Sequence, residues 1–220
     1  MNRFLIIFAN ILDLAFPRHC ISCGAPRTLL CTKCLAKIPS SPPSEHSFIH
    51  AVFDYRHPSI KSAIWHFKYK NARGFSKVFA EKLHEDIIGE LGESLYISPG
   101  ETLLLVPIPL HKKRLHERGY NQSDLLTKEV IKHDKSNTFE YAPDLLIRTR
   151  VTAPQARSQK RSARLANLRD AFTCPDPARI HGRVVILIDD VSTTGATLWE
   201  ARRALATGKP RKVLAFTVAH

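Results

Sequence analysis

No stretch of the chain stays apolar for the roughly 18–20 residues that a helix needs to cross a bilayer. The longest candidate, Phe4 to Phe16, is interrupted by Asp13, so no membrane span is expected. A secretory leader would also use Arg3 followed by Phe4-Leu5-Ile6-Ile7-Phe8. No small-residue cleavage site follows, Pro17-Arg18-His19-Cys20 being a poor one, so residues 4–16 are expected to form an amphipathic packing helix in a cytoplasmic protein. Internal repeats are absent, which excludes a solenoid. Acid is scarce: 20 Asp+Glu stand against 33 Lys+Arg, a formal net charge of +13. That imbalance predicts an anionic partner, whether nucleic acid, a phosphorylated metabolite or an acidic surface.

What is present is globular. The 220 residues are 44% hydrophobic and 24% charged, enough for one core with a small appended module. Phe48 to Phe53 reads as a strand, and Pro58 opens a helix through Ile60, Ala63, Ile64 and Phe67. Apolar residues spaced by three and four predict a helix over 75–91. Leu103 to Val106 is a buried strand before Pro107-Ile108-Pro109. Asn121 is an N-cap for a helix from Ser123 to Lys132, and Leu145-Leu146-Ile147 is a short strand. Val184 to Ile188 reads as a strand buried on both faces, Ala196 to Ala206 as a helix and Val213 to Val218 as the last strand. Strands alternating with helices predict an α/β domain with a mostly parallel sheet.

Four of the five cysteines fall within fifteen residues, as Cys20-x2-Cys23 and Cys31-x2-Cys34. Two close pairs on two turns suit four thiolates around a tetrahedral structural zinc. Two disulfides are the alternative, disfavoured in a reducing compartment. The lone Cys174 is expected to be inert. The stretch Pro39-Ser40-Ser41-Pro42-Pro43-Ser44 then marks a linker.

The most informative segment runs Ile188-Asp189-Asp190-Val191-Ser192-Thr193-Thr194-Gly195-Ala196-Thr197. A buried strand ends in two carboxylates, a hydroxyl-rich loop with one Gly follows, and a helix begins. Ligands of open α/β sheets bind at the carboxyl ends of strands. A loop feeding a helix N-terminus offers free N–H groups to a phosphate. Gly195 permits close approach. The acids suit the vicinal hydroxyls of a sugar, or a cation, so the segment reads as a receptor for a sugar 5-phosphate. The plain structural alternative is a strand capped by solvated acids with a Ser/Thr N-cap. The segment lacks the Gly-Lys-Ser/Thr of a nucleoside triphosphatase loop and the G-x-G-x-x-G of a dinucleotide fold.

This segment resembles the phosphoribosyl pyrophosphate (PRPP) motif of type I phosphoribosyltransferases. The resemblance implies that Asp189 and Asp190 hold the ribose hydroxyls, while Ser192, Thr193, Thr194, Gly195, Ala196 and Thr197 wrap the 5-phosphate. Purine enzymes often carry Asp where Thr193 stands, which argues against purine salvage. Three further blocks narrow the match: Val106-Pro107-Ile108-Pro109 with Arg114; Glu117-Arg118-Gly119-Tyr120-Asn121-Gln122; and Thr152-Ala153-Pro154-Gln155 with Arg164, Asn167 and Ala171-Phe172. With the leading cysteines, the chain resembles the ComF family from about residue 12 onward. Many members carry a further Cys-x2-Cys pair, which Pro42 to His46 lacks here, so one compact zinc knuckle is expected. The family is associated with natural competence, the uptake and processing of transforming single-stranded DNA.

The fold implied is a type I phosphoribosyltransferase-like α/β sheet over residues 45–220. It follows an N-terminal helix, zinc knuckle and linker over residues 1–44. The implied activity is a magnesium-dependent phosphoribosyltransferase. Pro107, Arg114, Arg118, Asn121, Arg148 and Gln155 would serve the pyrophosphate and the closing loop from Val151 to Arg161. The implied partners are PRPP with magnesium, single-stranded DNA and a competence helicase. The second reading is a non-catalytic single-strand-binding adaptor whose PRPP site is a sensor or relic.

Two basic stretches bear on that choice. Arg148, Arg150, Arg157, Lys160, Arg161, Arg164 and Arg169 share a span with neither acid nor aromatic residue. They suit a pyrophosphate clamp, a nucleic-acid backbone or a solvated face. Phe53, Tyr55, Trp65, Phe67, Tyr69 and Phe75 are interleaved with Lys61, Lys68, Lys70 and Arg73, a better pattern for stacking on bases. Phe67 and Phe75 fit the core better.

Overall fold

The structure, a computed structural model, describes residues 18–94, 98, 100–149 and 170–220. The expected helix over 4–16, the loop from Val151 to Arg161 and Gln155 lie outside the described residues. In chain order the elements are α1 (Thr32–Leu35), β1 (Ile49–Phe53), α2 (Pro58–Tyr69), α3 (Phe75–Ser94), β2 (Leu103–Pro107), α4 (Lys112–Arg118), α5 (Gln122–His133), β3 (Phe139–Tyr141), β4 (Ile147–Arg148), β5 (Phe172–Thr173), β6 (Val184–Val191), α6 (Ala196–Leu205) and β7 (Lys212–Ala219).

Five strands form one sheet in the order β1-β7-β6-β2-β3. Every pairing in it is parallel. Side chains alternate across a strand, so the sheet sorts its apolar residues into two cores. Leu103, Leu105, Ile186, Ile188, Leu214 and Phe216 face α2, α3 and α5 through Phe67, Phe79 and Leu126. Leu104, Val106, Val185, Leu187 and Ala215 face α6 through Leu198, Ala201 and Leu205. Both faces are covered, which is why β2 and β6 read as unbroken apolar runs.

This topology places the crevice. From β2 the chain crosses through α5 to β3, whereas from β6 it crosses through α6 to β7 on the other face. The two connections diverge above neighbouring strands, creating the switch point where open α/β sheets take ligands. The loops entering it follow Pro107 and Val191.

Three local differences from the sequence reading have clear causes. Leu145-Leu146-Ile147 is not a strand: Pro143–Leu145 is a 3₁₀ turn, Leu145 and Leu146 plug the α6-side core, and pairing starts at Ile147. The last strand of the motif runs past Ile188, because β7 continues to pair with it as far as Val191↔Ala219. The acids are therefore the end of β6 itself. The Ser/Thr N-cap of the plain structural alternative is absent, since α6 is capped by Gly195 with no side-chain bond.

The cysteine segment shares the helix-side core, where Cys20, Leu30 and Ile38 pack with Ile60, Phe67 and Phe75. The following Pro/Ser stretch runs antiparallel along the edge of β1, through a Ser40↔Phe53 bridge and a Ser41 N–H bond to Val52 O at 3.1 Å. That contact covers an otherwise open sheet edge. Among the described residues no helix is long and apolar enough to cross a membrane.

Candidate functional site

Asp189 and Asp190 sit at the carboxyl end of the central strand, and both are held from α-helices. Ser123 at the start of α5 donates its hydroxyl to Asp189 Oδ1 at 2.8 Å, and the Asp190 N–H donates to the same oxygen at 2.9 Å. Lys68 Nζ, from α2, lies 2.8 Å from Asp190 Oδ1. Among the described residues Oδ2 of each acid has no such partner, so one oxygen of each acid is open. Burial first, and the neighbouring Asp190 charge second, push the Asp189 carboxyl up to about 7, although Ser123 and Lys68 oppose the shift. Burial disfavours the charge on Lys68, but Asp190 and then Asp189 more than offset it and raise its pKa. The site is thus a compact cluster of like charges bridged by one ammonium.

The hydroxyl loop follows. Ser192 is buried, its N–H donates to Ala219 O at 3.0 Å, and among the described residues its Oγ has no hydrogen-bond partner. An orphaned buried hydroxyl in a native fold calls for an absent ligand or water. Thr193 is exposed, while Thr194 and Thr197 are half-buried. Gly195 adopts φ +71°, a left-handed conformation, and a Cβ there would lie 2.7 Å from His46 Cδ2 and 2.9 Å from Ile49 Cδ1. Glycine is required twice over, by backbone and by space. From Gly195 the chain enters α6, whose first N–H groups have no intrahelical acceptor. His46 and His220 flank the loop and, with Thr193 and Thr194, line a cavity of about 90 Å³.

Across the crevice, Pro107 ends β2, and the next residue, Ile108, donates its N–H to Ile188 O at 2.9 Å. Asn121 caps α5 through the Ser123 N–H at 3.2 Å, and its amide donates to Ile108 O at 3.0 Å. It therefore ties the loop after β2 to the start of α5. Arg114 and Arg148 are close enough to repel: burial and then Arg114 hold the Arg148 guanidinium below its usual range, against the pull of Asp189. Arg118 donates to Gln122 Oε1 at 3.1 Å and lies over the Tyr69 ring, 5.1 Å from its centroid. The structure thus brings Pro107, Arg114, Arg118, Asn121 and Arg148 to the side of the acid pair. Ser123 and His46 lie there too without having been singled out as site residues, and Lys68, read from the sequence only as a cation of the aromatic stretch, pairs with Asp190.

The sulfurs of Cys20, Cys23, Cys31 and Cys34 all lie within 4.8 Å of one another, so the four could hold a metal ion. Gly24 at φ +76° turns the first pair, and its N–H donates to Cys20 O at 2.8 Å. The Cys31 N–H points at Cys20 Sγ at 3.4 Å. Burial opposes ionisation of Cys20, but N–H donors from Cys31, Cys23 and Ser22 bring its thiol down to about 6. Ser22 lowers Cys34, yet the crowding sulfurs of Cys23 and Cys31 leave it raised to about 11. Such a cluster ionises fully only around a cation. These ligands fit a closed four-sulfur site.

The parallel five-stranded sheet flanked by helices, with an acid pair and a hydroxyl loop at its switch point, is the phosphoribosyltransferase-like α/β architecture, and here it follows a four-cysteine cluster. No family model matches the chain. The chain is 30% identical to the DNA utilization protein YhgH of Escherichia coli (strain K12) over 193 residues, 84% of this chain and 77% of that protein. It is 34% identical to competence protein ComFC of Bacillus subtilis over 123 residues, 56% of this chain and 46% of that one. It is 33% identical to competence protein F of Haemophilus influenzae over 102 residues, 46% and 43% of the two chains. The chain belongs to the ComF family.

Proposed function

We propose that this protein binds PRPP with magnesium at the acid pair and hydroxyl loop, and transfers its phosphoribosyl group during DNA uptake and processing. The observation that carries the reading is the arrangement of side chains at the switch point. Two acids keep one open oxygen each, a buried Ser192 hydroxyl lacks a partner, and a glycine-capped helix starts beside them. The 5-phosphate would rest on the N–H groups of the Ser192–Thr197 loop. The ribose hydroxyls would donate to Asp189 and Asp190. The diphosphate, carrying magnesium, would face Arg114, Arg118 and Arg148. In the transfer, the bond from C1 to the diphosphate oxygen breaks, a bond from C1 to the acceptor forms, and the acceptor gives up a proton. Positioning and fixed charge supply the catalysis.

The relatives' names, DNA utilization and competence, support a DNA-uptake setting. The strong positive charge supports an anionic acceptor, of which single-stranded DNA is our first choice, with a competence helicase as a further partner. The four thiolates close the shell of a structural zinc, and the site of action is the cytoplasm. The test is calorimetric titration of PRPP and magnesium into the protein and into Asp189→Asn/Asp190→Asn. Saturable binding abolished in the double variant supports the reading; no binding to the parent protein overturns it.

A further inference from the structure

Helix α2 buries Ile60, Ala63, Ile64 and Phe67, as its spacing requires. Its other edge is unusual. Trp65 is 46% and Tyr69 60% exposed, two large rings one turn apart with centroids 6.3 Å from each other. Each has a cation over it: Lys70 Nζ lies 5.2 Å from the Trp65 centroid, and Arg118 Cζ lies 5.1 Å from that of Tyr69. On its far side Trp65 shares an open groove of about 610 Å³ with Tyr55, Arg56, Pro58, Lys61 and Ser62. Asp54 is neutralised by Arg56 at 3.1 Å, so Lys61 adds net positive charge to the groove. The strip ends toward the acid pair through Arg118, which donates to Tyr69 Oη at 3.3 Å and whose charge acts on Lys68, the partner of Asp190.

We propose that this edge of α2 is a stacking strip for single-stranded DNA, leading an unpaired base from the Tyr55–Trp65 groove over Tyr69 to the acid pair. The inference rests on the reading of the acid pair given above and assigns the macromolecule that meets it. Rings alternating with cations match a strand whose bases alternate with phosphates. A duplex keeps its base faces stacked internally and cannot use the rings. Arg118 then serves both ends, its guanidinium over Tyr69 and its charge beside the sugar-phosphate site.

The chain has two tryptophans, so Trp199→Phe, on exposed α6 surface, leaves Trp65 as the only one. Titrating oligothymidylate into that variant should quench Trp65 fluorescence saturably. By anisotropy of a labelled oligonucleotide, Trp65→Ala and Tyr69→Ala should each weaken binding by about tenfold, and Trp65→Phe should restore most of it. PRPP binding by calorimetry should survive in Trp65→Ala. If PRPP fails to bind but the oligonucleotide still depends on Trp65, the strip stands and the PRPP reading falls. Unaltered Trp65 fluorescence while the labelled strand binds overturns the strip. So does equal affinity for duplex DNA, or a more than tenfold preference for single-stranded RNA.

Discussion

Replacing Asp189 by Asn should stabilise the ligand-free protein at neutral pH while destroying its proposed function. The Asp189 carboxyl is pushed from its ordinary 3.8 to about 7, by burial first and then by Asp190. The folded state therefore holds this proton more tightly than the unfolded chain does. Its stabilising effect is complete below pH 4 or so and is lost as pH rises to about 7. Some three pH units at roughly 1.4 kcal/mol each give an upper bound of about 4 kcal/mol. Relaxation and sharing of the charge with Asp190 and Lys68 reduce the expectation to about 2–3 kcal/mol. Asn keeps an oxygen for the Ser123 hydroxyl and the Asp190 N–H but never ionises. Thermal unfolding followed by circular dichroism should place Asp189→Asn about 5–10 °C above the parent protein near pH 8. At about pH 5 the advantage should shrink to roughly a third, since only one of the three units has been crossed. An offset that stays constant between those pH values, or a variant that melts lower near pH 8, would refute the electrostatic argument.

Other perturbations follow from the same geometry. Lys68→Met leaves Asp190 uncompensated beside Asp189 and should cost about 3 kcal/mol in urea unfolding near pH 8, with most of the loss recovered in Lys68→Met/Asp190→Asn. Without that recovery, the pair is not the cause. Gly195→Ala must drive a Cβ against His46 and Ile49 at φ +71° and should lower the melting temperature by several degrees while weakening PRPP binding. An unchanged melting temperature would show that the loop is free to move. Native mass spectrometry should find one zinc per chain, lost on treatment with a strong chelator together with a fall in melting temperature. A metal-free protein of the same stability would remove the zinc from the account.

The sheet was legible because its physics is local. Apolar runs at Leu103–Val106 and Val184–Ile188 are long enough to mark buried strands, and Asn121 caps α5 as its type predicts. The acid pair and hydroxyl loop were legible because they are contiguous in sequence. Their supports were not. Lys68 and Asp190 are separated by more than half of the chain, and nothing in α2 distinguishes Lys68 from the solvent-facing Lys61 until α2 is docked on the sheet. Ser123 sits in the first turn of α5, where a hydroxyl is ordinary, and its bond to Asp189 exists only because α5 starts above β6. The three-residue β3 and the seven-residue α4 are too short to show a period. In the aromatic stretch, helical spacing separated buried Phe67 from exposed Trp65 and Tyr69, but only the structure set Tyr69 beside Arg118.

The central claim is that the acid pair and the hydroxyl loop together hold one phosphorylated ribose. The measurement that tests it most directly is a crystal structure with PRPP and magnesium bound. The account predicts the 5-phosphate on the N–H groups of the Ser192–Thr197 loop, the ribose hydroxyls on Asp189 and Asp190, and the diphosphate toward Arg114, Arg118 and Arg148. A ligand seated elsewhere, or a loop that takes the phosphate while Lys68 keeps both acids from the ribose, would contradict it.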